Sequence, residues 1–315
     1  MRAGESLFLF DEHDHELDMT IQLGLKVDVC THAGLQYGVP ALMRLFDELN
    51  VRASFFVAGG PDHSGRAIRR VFRRGFLTKM MRTNAVGTYG WRTVLYGTLL
   101  PGPQIAASFP ETVRSLVRAG HEVGIHGYDH VYWQDELPKL SAAAVGAEIE
   151  RARTVFGDIL GSAPRAFGAP GWQCTAASFA SEDALDLAYH SDTRGTSPFR
   201  PHMDGQRFRT IDIPTTLLTL DETYGRLGTT ARELTAYYRR QLHPGLNVYT
   251  AHAEMEGRQQ LPLLRDWLAA ARDEAEVLRL IDVAQQLTDV PTATVVAAPI
   301  EGRHGTVAQQ EPSRA

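Results

Sequence analysis

The 315-residue sequence has only two cysteines, Cys30 and Cys174. That count excludes a disulfide-stapled secreted scaffold, and no CxxC pair exists for a zinc ribbon. Long apolar runs are missing as well. No stretch approaches the roughly 20 residues that a membrane-spanning helix needs. Leu7-Phe8-Leu9-Phe10 is too short for a signal-peptide core. The acidic run behind it (Asp11, Glu12, Asp14, Glu16, Asp18) is the wrong flank for export. Surplus positive charge is also absent. The net charge of −5 and pI near 6.2 argue against a nucleic-acid binder driven by global charge. Together these absences predict a cytoplasmic protein that does not span a membrane.

What is present looks like a globular enzyme. Apolar residues make up 43% and charged residues 22%, enough for a sizeable core and too balanced for a disordered chain. The length allows two domains or a single α/β barrel of roughly 250 residues. Short apolar runs alternate with helical patterns. Strands are predicted over residues 23–29, 53–57, 122–126, 166–167, 187–190, 208–213, 247–251 and 277–280. Helices are predicted over residues 39–49, 109–119, 141–160, 176–187, 230–241 and 261–271. This alternation implies a mostly parallel sheet flanked by helices, in a barrel-like or doubly wound arrangement of about seven units. Residues 1–20 read as a solvated acidic extension in which His13 and His15 hold no metal. Residues 291–315, rich in Pro, Ala, Gly and polar side chains, read as a fraying tail.

One segment breaks the rhythm. Residues 64–82 carry Arg66, Arg69, Arg70, Arg73, Arg74, Lys79 and Arg82, interleaved with Ile68, Val71, Phe72, Phe76, Leu77, Met80 and Met81. Tyr89 and Trp91 follow. A basic element with bulky apolar residues suits a membrane interface or a lipid phosphate. A solvated helix packed on the domain is the plainer alternative.

The residues able to carry chemistry cluster at predicted strand ends, where α/β folds gather reactive groups. His126 and His130 are four apart, so one turn would place both imidazoles on one side. They suit zinc, cobalt or manganese. Asp129 between them can orient a neighbour. Asp28 and Cys30 share a face of the first strand, because strand side chains alternate. A carboxylate there can take a proton from water. His252, at a late strand end beside Glu254, can protonate a leaving amine. Taken alone, each histidine is more often an ordinary core or surface residue.

The chain resembles the polysaccharide deacetylase family, and within it deformylases of 4-deoxy-4-formamido-L-arabinose carried on undecaprenyl phosphate. The likeness runs over residues 25–256. It rests on Leu25-Lys-Val-Asp-Val, Gly38-Val-Pro, Ala53-Ser-Phe-Phe, Gly60-Pro-Asp, Tyr89-Gly-Trp91, His121-Glu-Val-Gly-Ile-His126, Asp129-His130, Gly171-Trp172, Ser191-Asp192, Arg194-Gly195, Val248-Tyr-Thr and His252-Ala-Glu254. The resemblance implies a distorted (β/α)7 barrel over residues 21–290, with a long basic insertion at about 60–105. It implies one divalent metal ion and hydrolysis of an N-formyl or N-acetyl group on a lipid-linked amino sugar, at the cytoplasmic face of the inner membrane. His126 and His130 are implied as metal ligands, an acidic residue of the first strand as base and His252 as acid. Arg165, Trp172, Asp192, Arg194 and Glu254 are expected around the pocket.

Position 30 departs from the pattern. The deformylases resemble Asp-Val-Asp-Thr here, whereas this chain has Asp28-Val29-Cys30-Thr31. Either Cys30 ligates as a thiolate, or it is a small buried residue and metal binding weakens. Asp28 could serve as base or as ligand. A deacetylase of another amino sugar, or a catalytically weak sugar-lipid binding protein, are the rival functions.

Overall fold

The structure, a computed structural model, describes residues 20–66, 93, 95–303 and 305–312. The acidic extension before Thr20 therefore lies outside the described residues. So do Arg69, Arg70, Arg73, Arg74, Lys79, Arg82, Tyr89 and Trp91.

Seven parallel strands form the central sheet. They are β1 (Ile21–Val29), β2 (Ser54–Val57), β3 (Glu122–Ile125), β4 (Ala166–Phe167), β5 (Tyr189–His190), β8 (Gly245–His252) and β9 (Glu276–Leu278). Their order is β5-β4-β3-β2-β1-β8, with β9 beside the first half of β1. The period-two alternation of β1 separates two environments. Leu23, Leu25, Val27 and Val29 pack outward into a core shared with the surrounding helices. Those helices include α1 (Val39–Glu48), α2 (Pro110–Arg118), α4 (Ala142–Leu160), α7 (Ala231–Gln241) and α8 (Leu261–Arg272). Gly24, Lys26 and Asp28 point the other way, into the barrel. The lower interior is apolar, filled by Phe56, Ala166, Tyr189, Ile213, Val248 and Leu280. Polar side chains are thereby concentrated at the carboxyl ends of the strands.

The barrel is distorted where β5 should meet β8. A strand over residues 208–213 was expected there, and the structure replaces it with isolated bridges at Asp212. Ile213 N donates to His190 O (2.8 Å), and Leu217 N donates to Val248 O (3.1 Å), so residues 212–217 span the gap. Pro214 lies between them and has no N–H to continue a ladder.

The expected C-terminal tail is also different. β10 (Thr292–Pro299) and β11 (Thr306–Gln310) form an antiparallel hairpin. It joins β6 (Arg200–Met203) and β7 (Gln206–Arg207) in a second, four-stranded sheet. Val295 and Ala308 are buried there against Phe179, Phe199 and Phe208. The Thr-Ala-Thr-Val-Val run at 292–296 is β-branched at four positions, and that preference outweighs the polar composition around it.

The described ends of the segment expected to be an insertion lie side by side. Ile105 N donates to Gly60 O (2.8 Å), Asp62 N to Pro103 O (2.8 Å) and Gly65 N to Tyr96 O (2.9 Å). Among the described residues, no helix is long and apolar enough to cross a membrane.

Candidate active site

Asp28 and His252 are register partners on β1 and β8, so their side chains emerge at the same height. Asp28 is 3% exposed. Its Oδ1 finds no hydrogen-bond donor but lies 3.6 Å from Lys26 Nζ. Its Oδ2 lies 4.0 Å from His126 Nε2. Lys26 is fully buried, donates to Ser191 O at 2.8 Å and sits 4.9 Å from the centre of the Phe56 ring. Sequence reasoning passed over this lysine, although a cation inside an otherwise apolar strand was the available signal. A buried ammonium is costly unless paired, so its place beneath Asp28 fixes the carboxylate.

His126 directly follows β3 and His130 opens α3 (His130–Glu136). The chain doubles back between them through Gly127 at φ +71°, a left-handed conformation that glycine adopts without strain. This tight turn, rather than a helical one, brings the two rings to a 5.0 Å centroid separation. Asp129 caps α3 by accepting from Tyr132 N (3.0 Å) and binds His63 Nδ1 (2.6 Å). His63, at the first foot of the insertion, was also missed.

The donor set fits a divalent cation. Cys30, His126 and His130 each offer one ligand atom, all within 4.8 Å of one another. His126 Nδ1 lies 2.7 Å from the carbonyl of Gly168. Donation there leaves Nε2 as the lone-pair nitrogen, the tautomer a ligand needs. Burial lowers the pKa of His126 to about 4, outweighing the attraction of Asp28, so the ring stays neutral near pH 7. At Cys30, burial pushes the thiol well above its usual range, and the Glu254 and Asp28 carboxylates act in the same direction. A cation must therefore displace a firmly held proton to gain a thiolate. Cys30, His130 and His252 are half-buried, so the cluster faces an opening.

His252 Nδ1 has no hydrogen-bond partner. Burial alone would lower its pKa, but Asp221, Glu256, Asp28 and Glu254 together raise it. Its imidazolium form is thus favoured beyond the ordinary range. Glu256 accepts from His252 N (3.0 Å) and is itself raised to about 7, chiefly by burial. The Trp172 ring lies 6.3 Å from the His252 ring, edge-on. Sequence reasoning missed Asp221 and Glu256, whose role depends on chain reversals it could not see.

The other expected pocket residues divide between the pocket and places away from it. Arg165 precedes β4, at the opposite end of the sheet. It is exposed and pairs with Asp186 at 3.2 Å. Its placement is that of a surface ion pair, and it does not reach the Asp28 carboxylate. Arg194 is buried and fully engaged. It binds Glu222 (2.9 and 3.0 Å) and donates to Leu217 O (2.8 Å). Asp192 is buried behind the pocket, accepting from Ala169 N at 2.7 Å. Glu254 accepts from Cys30 N at 3.4 Å. Arg66 donates to Gly97 O (3.1 Å), which ties it to the returning foot of the insertion.

A parallel barrel with a carboxylate, an imidazole and metal-type donors at its strand ends is the setting of an amide hydrolase. The chain belongs to the polysaccharide deacetylase family, whose sequence model matches residues 23–190. A curated protein of Shewanella sediminis (strain HAW-EB3) is 34% identical over 92% of this chain and 94% of its own. It carries the name "Probable 4-deoxy-4-formamido-L-arabinose-phosphoundecaprenol deformylase ArnD". A protein of the same name from Wigglesworthia glossinidia brevipalpis is 28% identical, over 88% of this chain and 98% of its own. A crystal structure from Mycobacterium smegmatis, assigned to the polysaccharide deacetylases, superposes with a TM-score of 0.59. It shares 19% identity and covers 90% of this chain and 96% of that one, which shows the common fold.

Proposed function

We propose that the protein removes the N-formyl group from a 4-amino-4-deoxyarabinose-type sugar carried on undecaprenyl phosphate, at the cytoplasmic face of the inner membrane. The observation that carries this reading is the pairing of Asp28 and His252 at one height beside the Cys30–His126–His130 cluster. The two relatives named as deformylases, matched over most of their length, supply the substrate.

His126, His130 and Cys30 would hold the metal. When bound there, a divalent ion supplies Lewis acidity, which polarises the amide carbonyl and makes water more acidic. Asp28 takes the proton of the attacking water, because its Oδ1 has no competing donor and Lys26 holds the carboxylate in place. His252 gives a proton to the departing amine, which is otherwise a poor leaving group. The aromatic edge of Trp172 borders His252 and shapes the sugar site. The basic segment that begins at Arg66 would hold the lipid phosphate, with Tyr89 and Trp91 at the interface.

The test is mass spectrometry of products from formylated and acetylated undecaprenyl-phosphate sugars, offered to native and chelator-treated protein. Loss of the formyl group only, abolished by the chelator and restored by zinc, cobalt or manganese, is the expected result. Preferred loss of acetyl would make it a deacetylase of a related sugar. Full activity after chelation would reject the mechanism. One observation favours a second reading. The Cys30 thiol is held protonated by its surroundings, which suits a weakly catalytic sugar-lipid binder. Sub-stoichiometric metal at neutral pH, together with retained substrate binding, would select that reading.

A further inference from the structure

Behind the Gly168–Trp172 loop lies a second polar cluster, outside the catalytic pocket. Glu182 comes from α5 (Ala176–Asp183), His190 from β5, Asp192 from just beyond β5 and Asp212 from the segment that closes the barrel. All four are completely buried. His190 Nδ1 lies 3.1 Å from Asp212 Oδ2 and 3.6 Å from Asp192 Oδ2. His190 Nε2 lies 3.9 Å from Glu182 Oε2. Glu182, His190 and Asp192 each offer one ligand atom, all within 4.8 Å of one another.

The cluster lacks donors. Both carboxylate oxygens of Glu182, His190 Nε2, Asp192 Oδ2 and Asp212 Oδ1 have no hydrogen-bond partner. Leaving so many buried polar atoms unpaired is unfavourable, because each has given up its water partners. Three carboxylates around one imidazole also bring more negative charge than His190 can balance. Lys26 also acts on Asp192, but its ammonium is committed to Ser191 O and Asp28.

We propose that Glu182, His190 and Asp192 form a second, structural metal site for a divalent ion of the zinc or manganese class. One imidazole with carboxylates suits such ions. Asp212 takes the outer position, accepting Nδ1–H and aiming Nε2 inward, as carboxylates do behind metal-bound histidines. The Cys174 thiol is turned to Asp192 O (3.2 Å), so no soft donor joins the set. Asp192 also accepts from Ala169 N, next to the Gly168 carbonyl that orients His126. An ion here would stiffen the loop that sets the catalytic ligand.

The competing arrangement fills the same space with protons. Burial, then repulsion from Asp192, raises Glu182 well above the carboxylate range, and burial raises Asp192 to about 6. A bound ion would release those protons.

The experiment isolates this site from the other one. Full-length His126→Ala/His130→Ala protein is loaded with Zn²⁺ or, separately, Mn²⁺, then desalted and analysed for metal. The expected result is about one ion per chain, bound tightly enough that its removal lowers Tm. Crystals of the zinc-loaded variant should show an anomalous peak between Glu182, His190 and Asp192. Adding Glu182→Gln should abolish the metal content. Metal below about a tenth of an ion per chain in the parent variant would mean that protons fill the cluster, and it would overturn the site. An anomalous peak elsewhere would do the same, even if the Glu182→Gln protein fails to fold. Either outcome is independent of whether the deformylase reading stands.

Discussion

His252 stands between carboxylates that raise its pKa and a buried setting that lowers it, and the carboxylates win. A general acid works only while protonated. Activity should therefore fall as pH rises through the His252 pKa, which lies above the ordinary imidazole value. His252→Gln should lower kcat by about 10²–10⁴-fold and remove that alkaline limb. Stability should also fall below the His252 pKa, because a neutral glutamine leaves Asp221, Glu256, Asp28 and Glu254 without the imidazolium. A pH–rate profile of the two proteins is the check, and an unchanged kcat would exclude His252 as the acid. Cys30 poses a different residue-scale question. Its thiol must shed a proton that burial, Glu254 and Asp28 all help to retain. An aspartate at the same position ionises far more readily. Cys30→Asp should bind Zn²⁺ or Mn²⁺ at least about tenfold more tightly near pH 7, since each pKa unit is worth a factor of ten. Metal titrations across the neutral range should also show a flatter pH dependence. Weaker zinc binding in the variant would instead mark the native thiolate as the better ligand.

Elements differ in how much they owe to their own sequence. Deleting residues 291–315 would remove a hairpin that buries Val295 and Val307 and closes over Phe179, Phe199 and Phe208. It would also free the Arg194 backbone, whose N–H donates to Ala308 O and whose carbonyl accepts from Gln310 N (2.9 and 2.8 Å). Each fully buried valine is worth about 1.5–3 kcal/mol. The truncated protein should melt at least about 5 °C lower, measured by calorimetry. A fraying tail could be cut without effect. That hairpin was misread because composition hid a short β-branched run. By contrast, β1, β3 and β8 were legible, because a short apolar run is a local property of the sequence. α4 was legible for the same reason, with Ser141 accepting from Ala144 N at its start (3.3 Å). Asp28, Cys30, His126, His130 and His252 could be singled out because each stands at a strand end or one turn beyond it. Lys26, His63, Asp221 and the Glu182–His190–Asp212 cluster could not, since their partners are distant in sequence. The segment at 208–213 pairs only through isolated bridges at Asp212, to His190 and Phe199, which no local pattern announces.

At the scale of the whole molecule, charge is divided rather than averaged. The chain carries −5 overall, yet Arg66, Arg69, Arg70, Arg73, Arg74, Lys79 and Arg82 crowd into one short stretch. The described feet of that insertion are anchored at the pocket. Asp62 accepts from His32 N (2.9 Å), two residues past Cys30, and His63 binds Asp129. The role proposed for the basic stretch, read from its sequence, is to hold an anionic lipid. Each cation near an anionic bilayer contributes about 1 kcal/mol, and the contribution fades within a Debye length. Replacing Arg69, Arg70, Arg73 and Arg74 with Gln should then weaken binding to vesicles rich in anionic lipid by at least about tenfold. KM for the lipid-linked sugar should rise, and kcat for a soluble formamido-sugar should stay unchanged. Added salt should weaken the native protein in the same way and affect the variant less. If the four substitutions leave both vesicle binding and KM intact, the insertion serves the fold, and the lipid must be held elsewhere on the barrel.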